Sequence, residues 1–150
     1  MRYRLPCLGI AAVVLAGSFA MSSQQDLNRS REDHASKVKV LLKQRHEVLS
    51  TRSEMVAVLA NRGKLSQADL INARDDAAAA ELELSLTQDR RIEVLKSRVE
   101  NLKAGEEFFT SLKLQAKASE VDVLAATSRR LLAEIQLEQF QDSLNADPSR

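Results

Sequence analysis

The chain has 150 residues, 44% of them hydrophobic and 29% charged but only 3% aromatic, with four glycines and two prolines. So few breakers and aromatics exclude a β-rich or mixed domain and leave long helices as the material of the fold. The formal charge of +1 comes from 22 basic and 21 acidic residues interspersed along the chain, which excludes the basic footprint of a nucleic-acid-binding protein.

The first twenty residues stand apart. Met1 to Arg4 is a short positive start, Leu5 to Gly17 an apolar core, and Ser18-Phe19-Ala20 a small-x-small site for a signal peptidase. Residues 1–20 are therefore expected to be a signal peptide cut after Ala20, which places the mature chain in the periplasm or outside the cell. The alternative is a membrane anchor formed by residues 5–21, yet 17 residues interrupted by Pro6, Gly9 and Gly17 fall short of the roughly 20 that a spanning helix needs. Cys7 follows only six residues, too few for the apolar stretch that precedes a lipid-modified cysteine. Cleavage would remove Cys7, Arg2 and Arg4, leaving no cysteine and 20 basic against 21 acidic residues, a formal charge of −1. No disulfide is then possible, so stability has to come from packing.

Residues 21–37 hold one leucine among polar side chains and read as a polar, partly disordered lead. From there a helical coiled-coil domain is expected over 38–145, in three helices at about 22–62, 66–115 and 119–145, with a disordered tail at 146–150. In the first helix Val38, Leu41/Leu42, Val48/Leu49, Met55/Val56 and Leu59 recur every seven residues, the stripe of a helix that buries one side. Arg45 and Arg52 lie beside that stripe, where a long stem can pack while its charge snorkels or meets a carboxylate. Gly63 tolerates the left-handed conformation that ends a helix, and Ser66 starts the next.

The second helix, if unbroken to Gln115, runs for about 50 residues or roughly 75 Å. Its early seam is Leu70, Ala73, Ala77, Ala80 and Leu84, and its later seam Ile92, Leu95, Val99, Leu102 and Phe109. Gly105 interrupts the pattern, and a bend or weakness near Lys103 to Glu106 is expected there. The third helix carries Leu124, Leu131 and Ile135 in its seam. The fold class expected is all-α: an elongated antiparallel coiled-coil hairpin with a third helix folded back. A narrow seam buries little core per residue, so self-association is expected to supply the rest.

Residues 59–84 recur in pattern 53 positions later at 112–137, the mark of a duplicated helical unit. Leu59 matches Leu112, Lys64 matches Lys117, and Ser66 matches Ser119. Asp69 matches Asp122, Ala73 matches Ala126, Ala80 matches Ala133, Glu81 matches Glu134, and Leu84 matches Leu137. Each copy opens with Ser-x-x-Asp before an apolar run, so the serine oxygen can accept from a free backbone N–H while the aspartate complements the helix dipole.

In the first copy the pattern is Gly63, Ser66, Asp69, Leu70, Ile71, Ala73, Ala80, Glu81, Leu82 and Leu84. In the second it is Ser119, Asp122, Val123, Leu124, Ala126, Ala133, Glu134, Ile135 and Leu137, with Ala116 in place of the glycine. This doubled pattern resembles the periplasmic α-helical repeats of the TolC-type outer-membrane efflux family over about half the chain. The resemblance implies a helical hairpin that docks on an adaptor protein. The β part of that family is missing, since no run of about nine to eleven alternating residues lies between Ser22 and Arg150.

Chemistry is sparse. His34 and His46, the only histidines, have no ligand type three or four residues away, so no metal site is expected. Asp75-Asp76, Glu81 with Glu83, and Glu106-Glu107 read as solvated charges with nothing basic converging on them. Arg90-Arg91 and Arg129-Arg130 read as exposed as well. No phosphate loop, nucleophile elbow or cysteine pair occurs, so neither an enzyme nor a cofactor is expected. The partners expected are a second copy of the chain or another helical envelope protein, with a membrane only through an uncleaved N-terminal segment. The alternative is a structural or chaperone-like envelope coiled coil unrelated to transport.

Overall fold

The computed structural model describes residues 18–84 and 86–146, with side-chain environments given from residue 31 onward, Asp33 apart. Cys7, residues 1–17 of the expected signal peptide and residues 147–150 of the expected tail lie outside the described residues. The described chain is all-α, with α1 Ser18–Asn61, α2 Gln67–Leu82, α3 Gln88–Leu114 and α4 Glu120–Asn145. It divides into two units, 1–38 and 39–150. In the first, the described residues belong to α1; the segment expected as a partly disordered lead is helical there, having no glycine or proline to stop it. No helix among the described residues is long and apolar enough to cross a membrane.

In the second unit, the single helix expected over 66–115 is two. The chain leaves α2 at Glu83, and Thr87 restarts it as the N-cap of α3, its hydroxyl accepting from the Arg90 N–H at 3.3 Å. No glycine or proline marks this break. Thr87 followed by Asp89 in the first turn is the only local signal, and the reward for turning is that α3 folds back on α2. α3 packs against both α2 and α4. Pairings run antiparallel on both sides: Asp75 meets Arg98 and Ile71 meets Asn101, while Glu106 meets Arg130 and Arg98 meets Gln136.

The repeat shows at the helix ends. Ser66 and Ser119 both cap with their side chains, accepting from the Asp69 and Asp122 N–H groups at 3.1 and 3.2 Å, while each aspartate accepts in return from the serine N–H. The preceding helices also end alike. Gly63 and Ala116 both sit at positive φ, 66° and 55°. The N–H of Lys64 donates to Leu59 O and that of Lys117 to Leu112 O, both at 2.9 Å. Glycine suits this conformation, whereas a Cβ there costs about 1–2 kcal/mol. Ala116→Gly is therefore expected to stabilise the unit by about 1 kcal/mol and Gly63→Ala to destabilise it by a similar amount, read as opposite shifts in thermal melts.

Small residues form the inner layer. Ala73 and Ala80 of α2 and their counterparts Ala126 and Ala133 of α4 are buried, with Leu70, Ile71, Val94, Leu95 and Leu102. The large residues of the two copies part company: Leu70 and Ile71 are buried, but Leu124, Leu131 and Ile135, expected in a seam, are exposed. The cause is position. α2 lies between α3 and the side chains of α1, whereas α4 packs closely on α3 and meets α2 through Arg129.

α3 runs through Gly105 unbroken. The glycine lets α2 approach: a Cβ built there would stand 3.1 Å from Ile71 Cγ2. Gly105→Leu should overpack this contact and lower stability by about 1–3 kcal/mol. Ile71→Val in the same chain should recover part of the loss, which a double-mutant cycle of thermal melts would measure.

Candidate functional site

The doublets of α1 are split by direction. Leu42, Leu49 and Val56 are half-buried on the side of α2, together with His46, Ser53 and Ala60, while Leu41, Val48 and Met55 are exposed. Both sets keep a seven-residue spacing, so α1 carries two heptad edges, one half-buried and one exposed. Arg45 and Arg52 border the exposed edge and reach carboxylates of α2, Arg45 Nη1 donating to Glu83 and Arg52 Nη1 to Asp76 Oδ2 at 2.8 Å. These long side chains span the gap between α1 and α2. The gap is an open cleft of about 580 Å³, with His46, Ser50 and Ser53 on one wall and Ala77, Ala78 and Asn101 on the other.

A buried ion cluster, which the charge pattern hid, joins the other three helices. Asp75 is 8% exposed and accepts from Arg98 Nε at 2.6 Å and from Arg129 Nη2 at 2.8 Å. Arg98 Nη1 donates onward to Gln136 Oε1, and Arg129 Nη1 to Asn72 Oδ1, both at 2.7 Å. Burial pushes the Asp75 carboxyl up, but the bonds and charges of the two guanidinium groups outweigh it and hold the group below its ordinary value.

A second cluster sits between α3 and α4, where Glu106 accepts from the Thr127 hydroxyl at 2.6 Å and from Arg130, which also bridges to Glu134. The Thr127 hydroxyl, and then Arg130, hold Glu106 below the usual carboxylate range. The expectation of solvated carboxylates is thus wrong for Asp75 and Glu106, and that of exposed arginines is wrong for half-buried Arg130. Arg129, though partly exposed, is committed to Asp75. Adjacent acids do point apart on a helix, and this sends Asp75 inward while Asp76 turns toward Arg52.

The repeat-motif residues fall into three groups. Gly63, Ser66, Asp69, Ser119 and Asp122 build helix ends, and bonds from Ser66 and Ser119 hold both aspartates below their ordinary value. Leu70, Ala73 and Ala126 are core, with Leu84 and Leu137 half-buried. Glu81 and Glu134 pair with Arg90 and Arg130, while Leu124 is exposed. The motif assembles no site, and its members mark packing positions. His34 is exposed, and His46 Nε2 stands 4.0 Å from Glu81. Among the described residues no three His, Cys, Asp or Glu side chains gather in a way that could hold a metal ion.

Comparison with protein-family models, with curated proteins and with solved structures gave no match. The surfaces themselves are what remains to interpret. One is the free edge of α1. The other is its counterpart on α4, where Val121, Leu124, Leu131, Leu132 and Ile135 lie exposed.

Proposed function

We propose that this chain is an exported helical protein-interaction module that resembles the periplasmic helices of TolC-type efflux proteins and serves as an accessory to envelope export. It acts by contact and performs no catalysis. The observation that carries the reading is the pair of exposed heptad edges on α1 and α4. Coiled-coil knobs are normally buried in a partner's holes, and apolar rows of this size left in water mark interaction surfaces. The ion clusters and helix caps support it by keeping α2 to α4 in one register, so that the α4 edge is presented on a fixed frame.

The test is to express the full chain with its own N-terminal segment and a C-terminal tag in a Gram-negative host. Cells are crosslinked, and the mature N-terminus and captured proteins are identified by mass spectrometry. A mature start at Met21 with an efflux adaptor or channel protein captured is the expected result. An intact Met1 with no such protein captured would overturn the reading. A chaperone-like role is favoured by one observation, the exposure of Val40, Val58 and Leu114 away from the heptad edges; capture of many unrelated clients would move the assignment there.

A further inference from the structure

Where the end of α2 meets α3 and α4, an apolar groove holds a cation without a counter-ion. Among the described residues three arginines are not exposed. Arg98 pairs with Asp75, and Arg130 pairs with Glu106 and Glu134, as charges withdrawn from water normally do. Arg91, the third, has no carboxylate partner among the described residues. Its Nη2 donates to Leu82 O at 3.1 Å, and its guanidinium stands 5.5 Å from the centroid of the Phe140 ring. These contacts hold it at the wall of a groove of about 460 Å³, lined by buried or half-buried Leu82, Leu95 and Phe140 and by exposed Gln139 and Ser143. Glu83 is the one acid on that wall, and Arg45 engages it.

We propose that this groove binds an aliphatic carboxylate, a hydrocarbon chain ending in one carboxylate group, with Arg91 as its anion contact. The chemistry of the wall selects that class. A guanidinium recognises carboxylate oxygens through paired N–H donors, and one donor of Arg91 is committed to Leu82, which leaves others for a ligand. Leu82, Leu95 and Phe140 supply the apolar surface that a hydrocarbon chain needs, while Gln139 and Ser143 add neutral hydrogen-bonding groups. The volume falls within the roughly 300–1,000 Å³ of small-ligand clefts. A cationic ligand would meet the Arg91 charge, and a wholly apolar one would leave that charge without a counter-ion. None of these residues belongs to the exposed edges of α1 or α4, so the site stands independently of the contact reading.

The probe is decanoate, titrated into the isotopically labelled full chain and followed by amide chemical shifts. It should saturate one site with a Kd on the order of 1 mM or tighter, and the shifts should centre on Leu82, Arg91, Leu95 and Phe140. Decanol keeps the chain and lacks the charge. It should bind at least about tenfold more weakly, the difference that a charge-assisted hydrogen bond makes. Arg91→Gln should weaken decanoate binding by about tenfold, and Arg91→Lys, which keeps the charge, should retain more of the affinity. Gln139→Trp fills the groove from an exposed position and should abolish binding. Leu124→Asp, on the exposed face of α4, should leave it unchanged. Circular dichroism of each variant confirms that the helices are formed.

Equal affinity for decanol, or undiminished affinity in Arg91→Gln, would mean binding by apolar surface alone and overturn the proposal. Shifts centred on α1 or on Leu124 would do the same, as would the lack of any saturable binding. Binding that appears only after removal of residues 147–150 would give the groove to the chain's own C-terminal carboxylate and overturn it as well.

Discussion

Asp75→Ala is expected to destabilise the 39–150 unit by about 3 kcal/mol, the low end of what removing one member of a buried ion pair costs. The carboxylate is the one group that touches all the cations of the cluster, accepting from Arg98 of α3 and Arg129 of α4. Without it Arg129, whose side chain is 44% exposed, can turn to water. Arg98, at 16%, cannot, and its charge is left facing Gln136 alone. The expected fall in melting temperature is about 10 °C or more for a unit of this size. Asp75→Leu combined with Arg98→Met should recover much of the loss, since a well-packed apolar pair can replace a buried ion pair at little cost. A shift of under about 2 °C for Asp75→Ala would mean that the cluster does not clamp the helices.

The same cluster sets an acid limit. Because the folded-state Asp75 carboxyl is held below its ordinary 3.8, the contribution is present in full above that value and is lost as the pH falls through the lower, folded value. Glu106 acts in the same direction, held down by Thr127 and Arg130. Melts should therefore be nearly constant on this account from pH 7 to 5 and decline below about 4. Asp75→Asn should show a shallower decline, because the proton it would take up no longer breaks an ion pair.

What the sequence revealed and what it concealed follow from the range of the interactions involved. Helix ends are local: Ser66 with Asp69 and Ser119 with Asp122 close their caps within three residues, and the duplication exposes both at once. Alanine positions were legible too, because Ala73 with Ala126 and Ala80 with Ala133 repeat where helices approach. The break at 83–87 was hidden, since its driving force is the docking of α3 on α2 and only Thr87 announces it.

Asp75 was hidden by its neighbour Asp76, although it falls on the line Ile71, Asp75, Ala78, Leu82, spaced as a heptad edge. Arg98 likewise sits on the line Leu95, Arg98, Leu102, Gly105. Charged residues within such a line point inward and need a partner, a signal that charge counting along the chain passes over. Which member of each α1 doublet faces the protein depends on where α2 lies, and periodicity alone leaves that open.

Leu70→Asp and Leu124→Asp should separate folding from assembly. Both leucines stand in repeat-motif runs that the sequence assigns to seams, yet Leu70 is 5% exposed and Leu124 58%. At residue 70 the substitution gives up about 1.5–3 kcal/mol of apolar burial and buries a carboxylate, so the total should exceed about 4 kcal/mol. Against a typical domain stability of about 5–15 kcal/mol, that loss should remove most of the unit's helical circular dichroism at 37 °C. At residue 124 the carboxylate stays in water and the monomer should change by no more than about 0.5 kcal/mol.

Leu124 is nevertheless at the centre of the α4 edge, and a pair of chains stabilises itself by mass action. Wild-type melting temperatures should therefore rise with protein concentration, and those of Leu124→Asp should not. Equal loss of structure from both substitutions would place Leu124 in the core of the monomer and remove the α4 edge as a surface. A concentration-independent wild type would leave the fold intact and remove the self-association expected from its narrow core.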